Sequence, residues 1–545
     1  MHVPVLVVGA GPVGLALAGD LGWRGRSCLL VERGDGSIMQ PKMDLVGVRT
    51  MEFCRRWGIV DWVETSPYPR DYRQDYVWVT SLTGFELGRE PFPSMQETAP
   101  PPQSPQHKER CPQDMFDPIL RRFVAARPEA SVRYETELVS LDESEDGVRA
   151  VLRDLRTGNT EVVTADYVVG CDGAGSTVRS ALGITLSGQP ALTYTTNVIF
   201  RSSELPSLHD KGRAYRFICI GQEGTYATLV AINGGDRWRL SHIGTEQERT
   251  LTPAKIDELI VRVVGRPFDY EVLSVVPWTR RELIADTFAS RRVFIAGDAA
   301  HMMSPTGGFG MNTGIGDAVD LSWKLDGVLQ GWGGPGLLRS YEHERRPVAT
   351  RNVREATLNL DRMLSPRTHR PPAEVFEAGQ AGDEARASYG AWFTETMRPE
   401  WFSIGIHLGY EYDDSPICVY DGSEIRSNSV DNYEQSTRPG VRAPHVWLAS
   451  GQSTLDLFGR GFALLRLGAD APTGSGIVAA ARRAGVPIAV HAIDEADVVK
   501  VYGWPLVLVR PDGHVAWRGN EEPADVEALL GTVTGRAPQS PRKDG

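Results

Sequence analysis

The chain has 545 residues, of which 41% are hydrophobic and 23% charged, and its formal net charge is −12. This composition is that of a globular protein with enough apolar residues for several cores, which excludes wholesale disorder. The acidic balance argues against nucleic acid as a main partner, because phosphate binding needs a basic surface. At roughly 100–200 residues per domain, we expect about three domains.

No segment has the pattern of a signal peptide or a membrane span. The apolar stretch 3–21 is rich in glycine, contains Pro12 and Asp20, and lacks a charged leader and a cleavage site. The six cysteines lie far apart without a CxxC pair, so we expect neither a disulfide framework nor a metal site. The sequence predicts a cytoplasmic protein with reduced thiols and no membrane partner.

The chain opens with the pattern of a dinucleotide-binding fold. An apolar strand is followed by Gly9, Gly11 and Gly14, a helix, and a second strand that ends at Glu32. The first glycine permits a tight turn, the second lets the backbone approach a pyrophosphate, and the third packs the helix against the strand. Glu32 can accept hydrogen bonds from ribose hydroxyls, which favours FAD or NAD over NADP. Arg33 beside it is either solvated or flanks the adenine.

The middle of the chain predicts two kinds of sheet. A helix over 114–126 leads into alternating strands at 131–137, 148–154 and 161–169, which we interpret as a meander. Further alternation over about 190–285 predicts an antiparallel sheet in a second domain. This second sheet shows no dense basic cluster in the sequence, so nothing in it demands a polyanionic substrate.

Two further motifs place polar residues at the ends of apolar strands. Asp172 and Gly173 turn into a helix that carries Arg179, which is either part of a nucleotide site or an ordinary turn with a capping serine. Later, a strand ends at Asp298, and a loop with proline and glycines leads into a helix near Asn312. Asp298 can hold a ribityl or ribose hydroxyl, and the first backbone N–H groups of the helix can face an electron-rich ring.

In this order, the three motifs resemble those of the single-component FAD-dependent aromatic hydroxylases of the para-hydroxybenzoate hydroxylase type. The segments PKMDLVGVRTMEFCRRWG at 41–58 and LLRSYEHERRP at 337–347 are similar to further stretches of that family. The similarity covers about residues 1–350. Residues 437–535 resemble the thioredoxin-like C-terminal domain of the phenol and polyketide hydroxylase branch.

The resemblance implies an α/β fold with four parts. A Rossmann-like FAD domain is interleaved with an antiparallel-sheet substrate domain, and a helical connector leads to a thioredoxin-like C-terminal domain. The C-terminal part has no CxxC pair, so we expect it to be structural. The FAD domain is expected at 1–75, 105–190 and 286–350, the substrate domain at 76–104 and 191–285, the connector at 351–436 and the C-terminal domain at 437–537.

The same resemblance implies the chemistry, which is hydroxylation of a phenolic or other aromatic substrate with O2 and NADPH or NADH through a C4a-hydroperoxyflavin. The second motif would serve both FAD and NAD(P)H. The residues expected to bind the cofactors are Gly9, Gly11, Gly14, Glu32, Arg33, Arg49, Gln113, Asp172, Gly173, Arg179, Asp298, Gly308, Gly310, Met311 and Asn312.

Two residues are candidates for the reaction itself. The resemblance places Pro305 near the reactive edge of the flavin. Asp44 matches an active-site acid of yeast-type phenol hydroxylases by its spacing from Arg49, so it is expected to take or orient the phenol proton. The alternative for Asp44 is a loop aspartate that caps a turn.

Two other functions share part of this pattern. A flavin-dependent halogenase has the first motif, but Trp238-Arg239-Leu240 does not continue into the WxWxIP stretch of halogenases. A non-catalytic flavin-binding protein is the second alternative, and the intact third motif argues against it. The resemblance also implies a homodimer. The sequence does not identify the small aromatic substrate.

Overall fold

A computed structural model gives the fold of residues 1–38, 40–248, 250–425 and 429–537. Two large sheets share the first two thirds of the chain, and a smaller sheet lies near its end. In chain order, the strands are β1 His2–Val8, β2 Cys28–Val31, β3 Leu45–Val46, β4 Tyr76–Val79, β5 Glu86–Glu90, β6 Glu109–Arg110, β7 Ala130–Arg133, β8 Thr136–Glu143, β9 Val148–Asp154, β10 Thr160–Gly170, β11 Leu186–Arg201, β12 Arg216–Gly221, β13 Gly224–Ala231, β14 Arg237–Gly244, β15 Glu271–Ala285, β16 Val293–Ile295, β17 His301–Met302, β18 Phe462–Leu467, β19 Ile488–Ile493, β20 Leu506–Val509 and β21 Val515–Gly519.

The helices cover the faces of these sheets and connect them. None of those in the described part of the chain is long and apolar enough to cross a membrane. In chain order, the α-helices are α1 Pro12–Trp23, α2 Val48–Trp57, α3 Val60–Glu64, α4 Gln113–Ala125, α5 Thr177–Ala181, α6 Pro253–Val264, α7 Phe309–Leu329, α8 Pro335–Leu364, α9 Gln380–Trp401, α10 Ile404–Leu408, α11 Ser475–Arg483, α12 Ala496–Tyr502 and α13 Val526–Val533.

The first sheet has the order β7-β2-β1-β10-β9-β8, with β16 paired to the far end of β10. β10 is not only the last strand of a meander. Its first half pairs antiparallel with β9, and its second half lies parallel between β1 and β16. The carboxyl ends of β1, β10 and β16 therefore meet at one edge of the sheet. This brings together the three motifs that follow these strands, which is where parallel α/β sheets bind their ligands.

The second sheet has the order β17-β15-β11-β14-β13-β12-β4-β5 and is antiparallel apart from the β12–β4 pair. Helix α6 packs on one face through a core that includes Phe200, Phe217 and Trp238. The α8–α9 helices lie on the other face, where Trp78 and Phe393 are buried. Because β13 is covered on both sides, every one of its residues is buried.

The boundary between the FAD domain and the helical connector, which the resemblance places at 350, falls inside a helix. α8 runs without a break from Pro335 to Leu364. Pro347 lies inside it, although proline normally interrupts a helix by removing one backbone hydrogen bond.

The C-terminal sheet has the order β19-β18-β20-β21, with β18 parallel to β19 and the other pairs antiparallel. This is the thioredoxin-like arrangement that the resemblance implies. An isolated bridge joins Trp447 to Ser453 before β18. The valines of α12 favour a strand by propensity, and packing of Val498 and Tyr502 in the core outweighs that preference.

Candidate active site

A cavity of about 990 Å³ lies between the carboxyl edge of the first sheet and the inner face of the second. Residues of both sheets and of the α9–α10 region line it. The expected site residues that line the cavity are Gly11, Asp44, Gln113, Gly173, Asp298, Pro305, Gly308, Gly310 and Met311. Those that lie behind its walls or outside it are Gly9, Gly14, Glu32, Arg33, Arg49, Asp172, Arg179 and Asn312.

The glycine turn between β1 and α1 leaves open space only where a ligand would approach. A Cβ at Gly9, whose φ is +101°, would lie 2.5 Å from the Cys171 carbonyl oxygen, and one at Gly14 would lie 1.9 Å from the Gly9 carbonyl oxygen. A Cβ at Gly11 would meet no atom within 4 Å. Gly11 is the N-cap of α1, so the free backbone N–H groups of the helix end are open to an anion.

Glu32 supports this turn from the end of β2. One of its carboxylate oxygens accepts a hydrogen bond from the backbone of Ala10 at 2.8 Å, and the other accepts one from the backbone of Gly34 at 2.7 Å. The carboxylate therefore fixes the glycine turn, and its remaining lone pairs can accept from a ribose. The neighbouring Arg33 is exposed.

The third motif forms a second cradle at the start of α7. Gly308 is the N-cap in the left-handed region, with φ +70°, and the first N–H groups of the helix have no acceptor within it. The Asn312 side chain does not face the cavity. Its Oδ1 accepts from the backbone of Gly47 and from Thr50 at 2.8 and 2.7 Å, and its Nδ2 donates to the Leu45 and Gly308 carbonyls. Asn312 thus positions the walls on either side of the cradle.

The polar side chains of the second motif form hydrogen bonds within the protein. The Asp172 carboxylate caps α5 by accepting from the backbones of Thr177 and Val178 at 2.7 and 3.1 Å. The buried Arg179 donates to the Ala299 and Ala174 carbonyls at 3.0 and 2.8 Å. The two side chains therefore tie the second motif to the third, and of this group Gly173 lines the cavity. A role of Asp172 and Arg179 in cofactor binding stays a prediction.

Asp298 is the exposed acid of the third motif and lines the cavity. Within the described residues, its side chain has no hydrogen bond or ion pair, so it is free to accept from a ligand hydroxyl. The residues fit a flavin dinucleotide. Gly11 and the α1 N-terminus would hold its pyrophosphate, and Asp298 would hold its ribityl chain. The N–H groups at the α7 N-terminus would face the electron-rich edge of its ring.

Replacing Asp298 with alanine should therefore weaken FAD retention without unfolding the protein. A lost charge-assisted hydrogen bond costs about 1.5–3 kcal/mol, or roughly 10- to 150-fold in affinity. Titrating FAD into the apoprotein by flavin fluorescence measures the effect. Asp286→Ala is a matched control, because Asp286 accepts only from Thr185 and Ser187 outside the cavity. Equal FAD affinity in wild type and Asp298→Ala would contradict this assignment.

The far end of the cavity contains a buried group around Asp44. The Tyr215 hydroxyl donates to Asp44 Oδ2 at 2.9 Å, and Arg239 forms an ion pair with the same carboxylate. The Arg110 guanidinium lies 3.4 Å from the centroid of the Tyr215 ring. β3–β6 pairing brings Asp44 beside Arg110, and the second sheet supplies the other two residues.

The electrostatics of this group bear on the expectation that Asp44 takes or orients the phenol proton, and they favour the orienting role. Burial alone would raise the pKa of Asp44, but the charge of Arg239, its hydrogen bonds and the charge of Arg110 hold that pKa below its ordinary value. An ionised carboxylate of low pKa is a weak base. Burial, and then the charge of Asp44, raise the pKa of Tyr215. Tyr215 therefore remains a protonated phenol oriented by Asp44.

A second ion pair joins α9 to β12, and its carboxylate also accepts a hydrogen bond from the loop before α7. Glu400 accepts from Arg216 at 2.9 Å and from the backbone of Gly307 at 3.2 Å. Trp401 follows Glu400, lines the cavity and stacks on Trp78 with ring centroids 5.1 Å apart. These contacts could not be predicted from the sequence, because strand alternation alone does not tell which face of the second sheet points to the cavity.

Arg49, which the resemblance predicts to contact FAD, is not among the residues that line the cavity. It donates to Glu52 at 2.8 Å and to the Asp512 carbonyl at 2.8 Å. Glu52 is also paired with the buried Arg442 of the C-terminal part. The α2 helix turns its basic side chains toward the C-terminal domain, so Arg49 connects two domains. Lys42, seven positions earlier, lines the cavity instead.

Two protein-family models match this chain. An FAD binding domain model matches residues 2–356, and an aromatic-ring hydroxylase C-terminal model matches residues 436–537. A putative polyketide hydroxylase of Streptomyces halstedii is 32% identical over 98% of this chain and 96% of its own length. The 2,4-dichlorophenol 6-monooxygenase of Delftia acidovorans is 31% identical over 95% of each chain.

The similar solved structures include flavin-dependent enzymes, as the sequence relatives do. The rebeccamycin biosynthetic enzyme RebC with reduced flavin has a TM-score of 0.91 and 39% identity, over 98% of this chain and 99% of that one. The monooxygenase PieE in complex with FAD and substrate has a TM-score of 0.89 and 29% identity, over 98% and 100%. These relatives do not favour the halogenase alternative. The chain belongs to the FAD-dependent aromatic-ring hydroxylases that carry the additional C-terminal domain.

Proposed function

We propose that the protein is an FAD-dependent monooxygenase that hydroxylates an electron-rich aromatic ring, with NADPH or NADH as reductant and O2 as oxidant. One observation carries the proposal. The cradle at the start of α7 and the Tyr215–Asp44 pair lie on the same cavity, with Pro305 on the wall as well. A flavin ring held at the cradle and an aromatic ring held by Tyr215 would therefore share one cavity.

When bound, FAD supplies the redox chemistry that reductively activates dioxygen. The chain's own residues hold and orient the cofactor and the substrate and shield them from solvent. The N–H groups at the start of α7 stabilise negative charge near them, and Glu400 fixes the loop before α7 through Gly307. Tyr76, Trp278 and Trp401 form aromatic walls of the cavity. An aromatic substrate packed between them would displace water, which strengthens each polar contact beside it.

The proposed role of Tyr215 is to position the hydroxyl of the substrate. Its O–H is donated to the ionised Asp44, so the lone pairs of its oxygen are left to accept a hydrogen bond from a phenol. Accepting that bond increases electron density on the substrate oxygen and, through it, on the ring carbons beside it. Arg239 keeps Asp44 ionised and fixed in place, so the acceptor on Tyr215 is always turned toward the cavity.

Replacing Tyr215 with phenylalanine should lower kcat/KM for phenols while FAD stays bound. A hydrogen bond worth roughly 0.5–1.5 kcal/mol corresponds to about 2- to 12-fold. Tyr226→Phe is the matched control, because the Tyr226 hydroxyl donates to the Thr80 carbonyl on the other side of the second sheet. Steady-state turnover of one phenol by the three proteins tests this. An unchanged kcat/KM in Tyr215→Phe would contradict the proposed role of Tyr215 in positioning the substrate hydroxyl.

The decisive test of the activity is product identification. FAD-loaded protein is incubated aerobically with NADH or NADPH and a panel of phenols ranging from one ring to fused rings, because the relatives include a chlorophenol and a polyketide enzyme by name. We expect a product heavier by one oxygen atom, derived from isotopically labelled O2. Cofactor oxidation that yields only hydrogen peroxide with every phenol would contradict the proposal.

We also propose a homodimer and a cytoplasmic location. All six cysteines are buried and unpaired, which suits a reducing compartment. The dimer rests on the family resemblance. Light scattering of the FAD-loaded protein measures its mass in solution, and a monomer at micromolar concentration would contradict it.

A further inference from the structure

A proline-rich segment, residues 98–108, forms one wall of the cavity. The structure describes this segment in full, and it contains four prolines and no helix or strand. The residues of the segment that line the cavity are Thr98, Ala99, Pro101, His107 and Lys108. Proline has no backbone N–H to donate, so backbone hydrogen bonds can do little to hold this wall. Its position depends on contacts made by its other side.

The middle of the segment faces away from the cavity and is bound by the C-terminal domain. Arg442 of that domain donates from Nη2 to the Gln103 carbonyl at 3.0 Å. Arg442 also forms an ion pair with Glu52 of α2, in which its Nε donates to Oε2 at 2.9 Å. The Oε1 of the same carboxylate accepts from the Ser104 hydroxyl at 2.6 Å. Arg442 therefore holds the wall twice, directly at Gln103 and through Glu52 at Ser104.

The groups that make these contacts are buried and fixed. Arg442, Glu52 and Ser104 are all buried. Burial alone would raise the pKa of Glu52, but the charges of Arg442 and Arg49 hold that pKa below its ordinary value, so the carboxylate stays ionised. A backbone bridge pairs Arg442 with His514, one residue before β21. Because the cation is fixed to the C-terminal sheet in this way, the position of the wall depends on the C-terminal domain.

The same wall adjoins the proposed substrate position. The Lys108 ammonium lies 5.1 Å from the centroid of the Phe92 ring. Phe92 packs edge-on against Tyr76, with ring centroids 5.7 Å apart, and Tyr76 packs edge-on against Tyr215, with ring centroids 5.6 Å apart. A displacement of the segment would therefore reach, through direct ring contacts, the tyrosine that is proposed to position the substrate hydroxyl.

We propose that Arg442 is a positioning residue for the aromatic substrate, so that the C-terminal domain completes the substrate site from outside the cavity. The proposal rests on the proposed function. Arg442 does not line the cavity; it fixes the 98–108 segment as a wall against which the ring packs. The glycine turn before α1 and the cradle before α7 belong to other segments. Loss of Arg442 should therefore weaken substrate binding and spare FAD binding.

The first test needs no substrate. Hydrogen–deuterium exchange of the FAD-loaded protein is followed in peptides that cover 98–108. We expect Arg442→Met to speed exchange there by about tenfold or more, the value of a lost charge-assisted hydrogen bond. Arg55→Met is the matched control, because Arg55 of α2 binds Asp456 of the same domain through hydrogen bonds of 2.7 and 2.8 Å. Unchanged exchange in Arg442→Met, or equal acceleration in Arg55→Met, would overturn the proposal.

The second test measures substrate binding without turnover. 2-Naphthol is titrated anaerobically into each FAD-loaded protein at a temperature where all are folded, and the flavin absorbance is followed. We expect Ser104→Ala to weaken 2-naphthol binding about 2- to 12-fold, the value of one hydrogen bond, and Arg442→Met to weaken it further. Arg442→Lys should recover part of the affinity, because an ammonium can still pair with Glu52. Arg55→Met should bind 2-naphthol as wild type does, and all the proteins should bind FAD equally.

The outcomes separate this proposal from the proposed function. Equal 2-naphthol affinities in wild type, Ser104→Ala and Arg442→Met would overturn the proposal and leave the proposed function standing. A wild type that does not bind 2-naphthol would contradict the proposed function, and the positioning role with it. A parallel loss of FAD affinity in Arg442→Met would mean that Arg442 supports the whole fold and not the substrate wall, which also overturns the proposal.

Discussion

Gly11→Ala and Gly14→Ala should both reduce FAD binding, but only Gly14→Ala should destabilise the apoprotein. A Cβ at Gly14 would lie 1.9 Å from the Gly9 carbonyl oxygen, which is far inside van der Waals contact. α1 must therefore move away from β1, and forcing an extra carbon into such a contact costs roughly 1–3 kcal/mol. Movement of α1 also displaces the N–H groups that would hold the pyrophosphate.

Gly11→Ala differs because its Cβ meets no protein atom within 4 Å. Its backbone is also extended, with φ −73° and ψ 180°, so alanine adopts it without strain. The methyl group would instead occupy the path by which a phosphate reaches the backbone. We expect an unchanged melting temperature of the apoprotein and roughly tenfold or greater loss of FAD affinity, the value of one charge-assisted hydrogen bond.

Thermal melts of the two apoproteins and FAD titration measure these two effects separately. Gly459→Ala is the control for replacing an unrelated glycine, since a Cβ there would meet no atom within 4 Å, its φ is not positive and it lies outside the cavity. Normal FAD affinity in Gly11→Ala would show that the dinucleotide does not pass over this turn. A Gly14→Ala apoprotein as stable as wild type would show that α1 adapts to the added methyl group without cost.

The sequence could predict the cofactor end of the site because each motif is local. A glycine turn, a strand-end acid and a loop before a helix are continuous in the chain, and parallel strands bring their carboxyl ends together. These local motifs do not predict in which direction an individual side chain points. Arg49, Asp172 and Arg179 match family positions, yet the structure turns them toward the C-terminal domain, the α5 N-terminus and two backbone carbonyls.

The substrate end could not be predicted, because it is assembled from distant segments. Asp44 and Tyr215 are 171 positions apart, and Asp44 and Arg239 are 195 apart. A basic cluster was not expected in the second sheet, since its arginines are scattered singly over several strands. The strand order places Arg216, Arg239 and Arg280 on the wall of one cavity. Only the pairing of strands across the sheet reveals this cluster.

The C-terminal domain is joined to the catalytic part by an apolar and an ionic contact. Trp323 of α7 and Trp332 after it pack against Phe462 of β18 in one buried cluster. Beside them, Arg510 pairs with Glu344 of α8, Asp320 of α7 and its own neighbour Asp512. Lys324 binds Asp320 and Glu344 at 2.7 and 2.6 Å. These contacts agree with a structural role for the domain.

Arg510→Met should destabilise the FAD-loaded protein by roughly 3–5 kcal/mol, because it leaves buried carboxylates without their cation. Arg483→Met is the control in the same domain. Arg483 and its partner Glu527 are 63% and 59% exposed, so this loss should cost less than about 1 kcal/mol. Adding Glu344→Gln to Arg510→Met should restore part of the stability, since it removes one stranded charge. Chemical denaturation measures all four proteins.

The stability difference between wild type and Arg510→Met should also shrink as the pH falls from neutral toward 5. Three carboxylates share two cations here, and burial, with the charge of Glu344, already raises the pKa of Asp320 to about 8. Although burial opposes this effect, the charge of Arg510 holds the pKa values of Glu344 and Asp512 below their ordinary values. Removing Arg510 therefore raises the folded-state pKa values of all three carboxylates. The folded variant then binds more protons than its unfolded chain, so its stability falls as the pH rises and recovers as the pH falls. A stability difference that stays constant between these pH values would mean that packing, and not charge, makes Arg510 necessary.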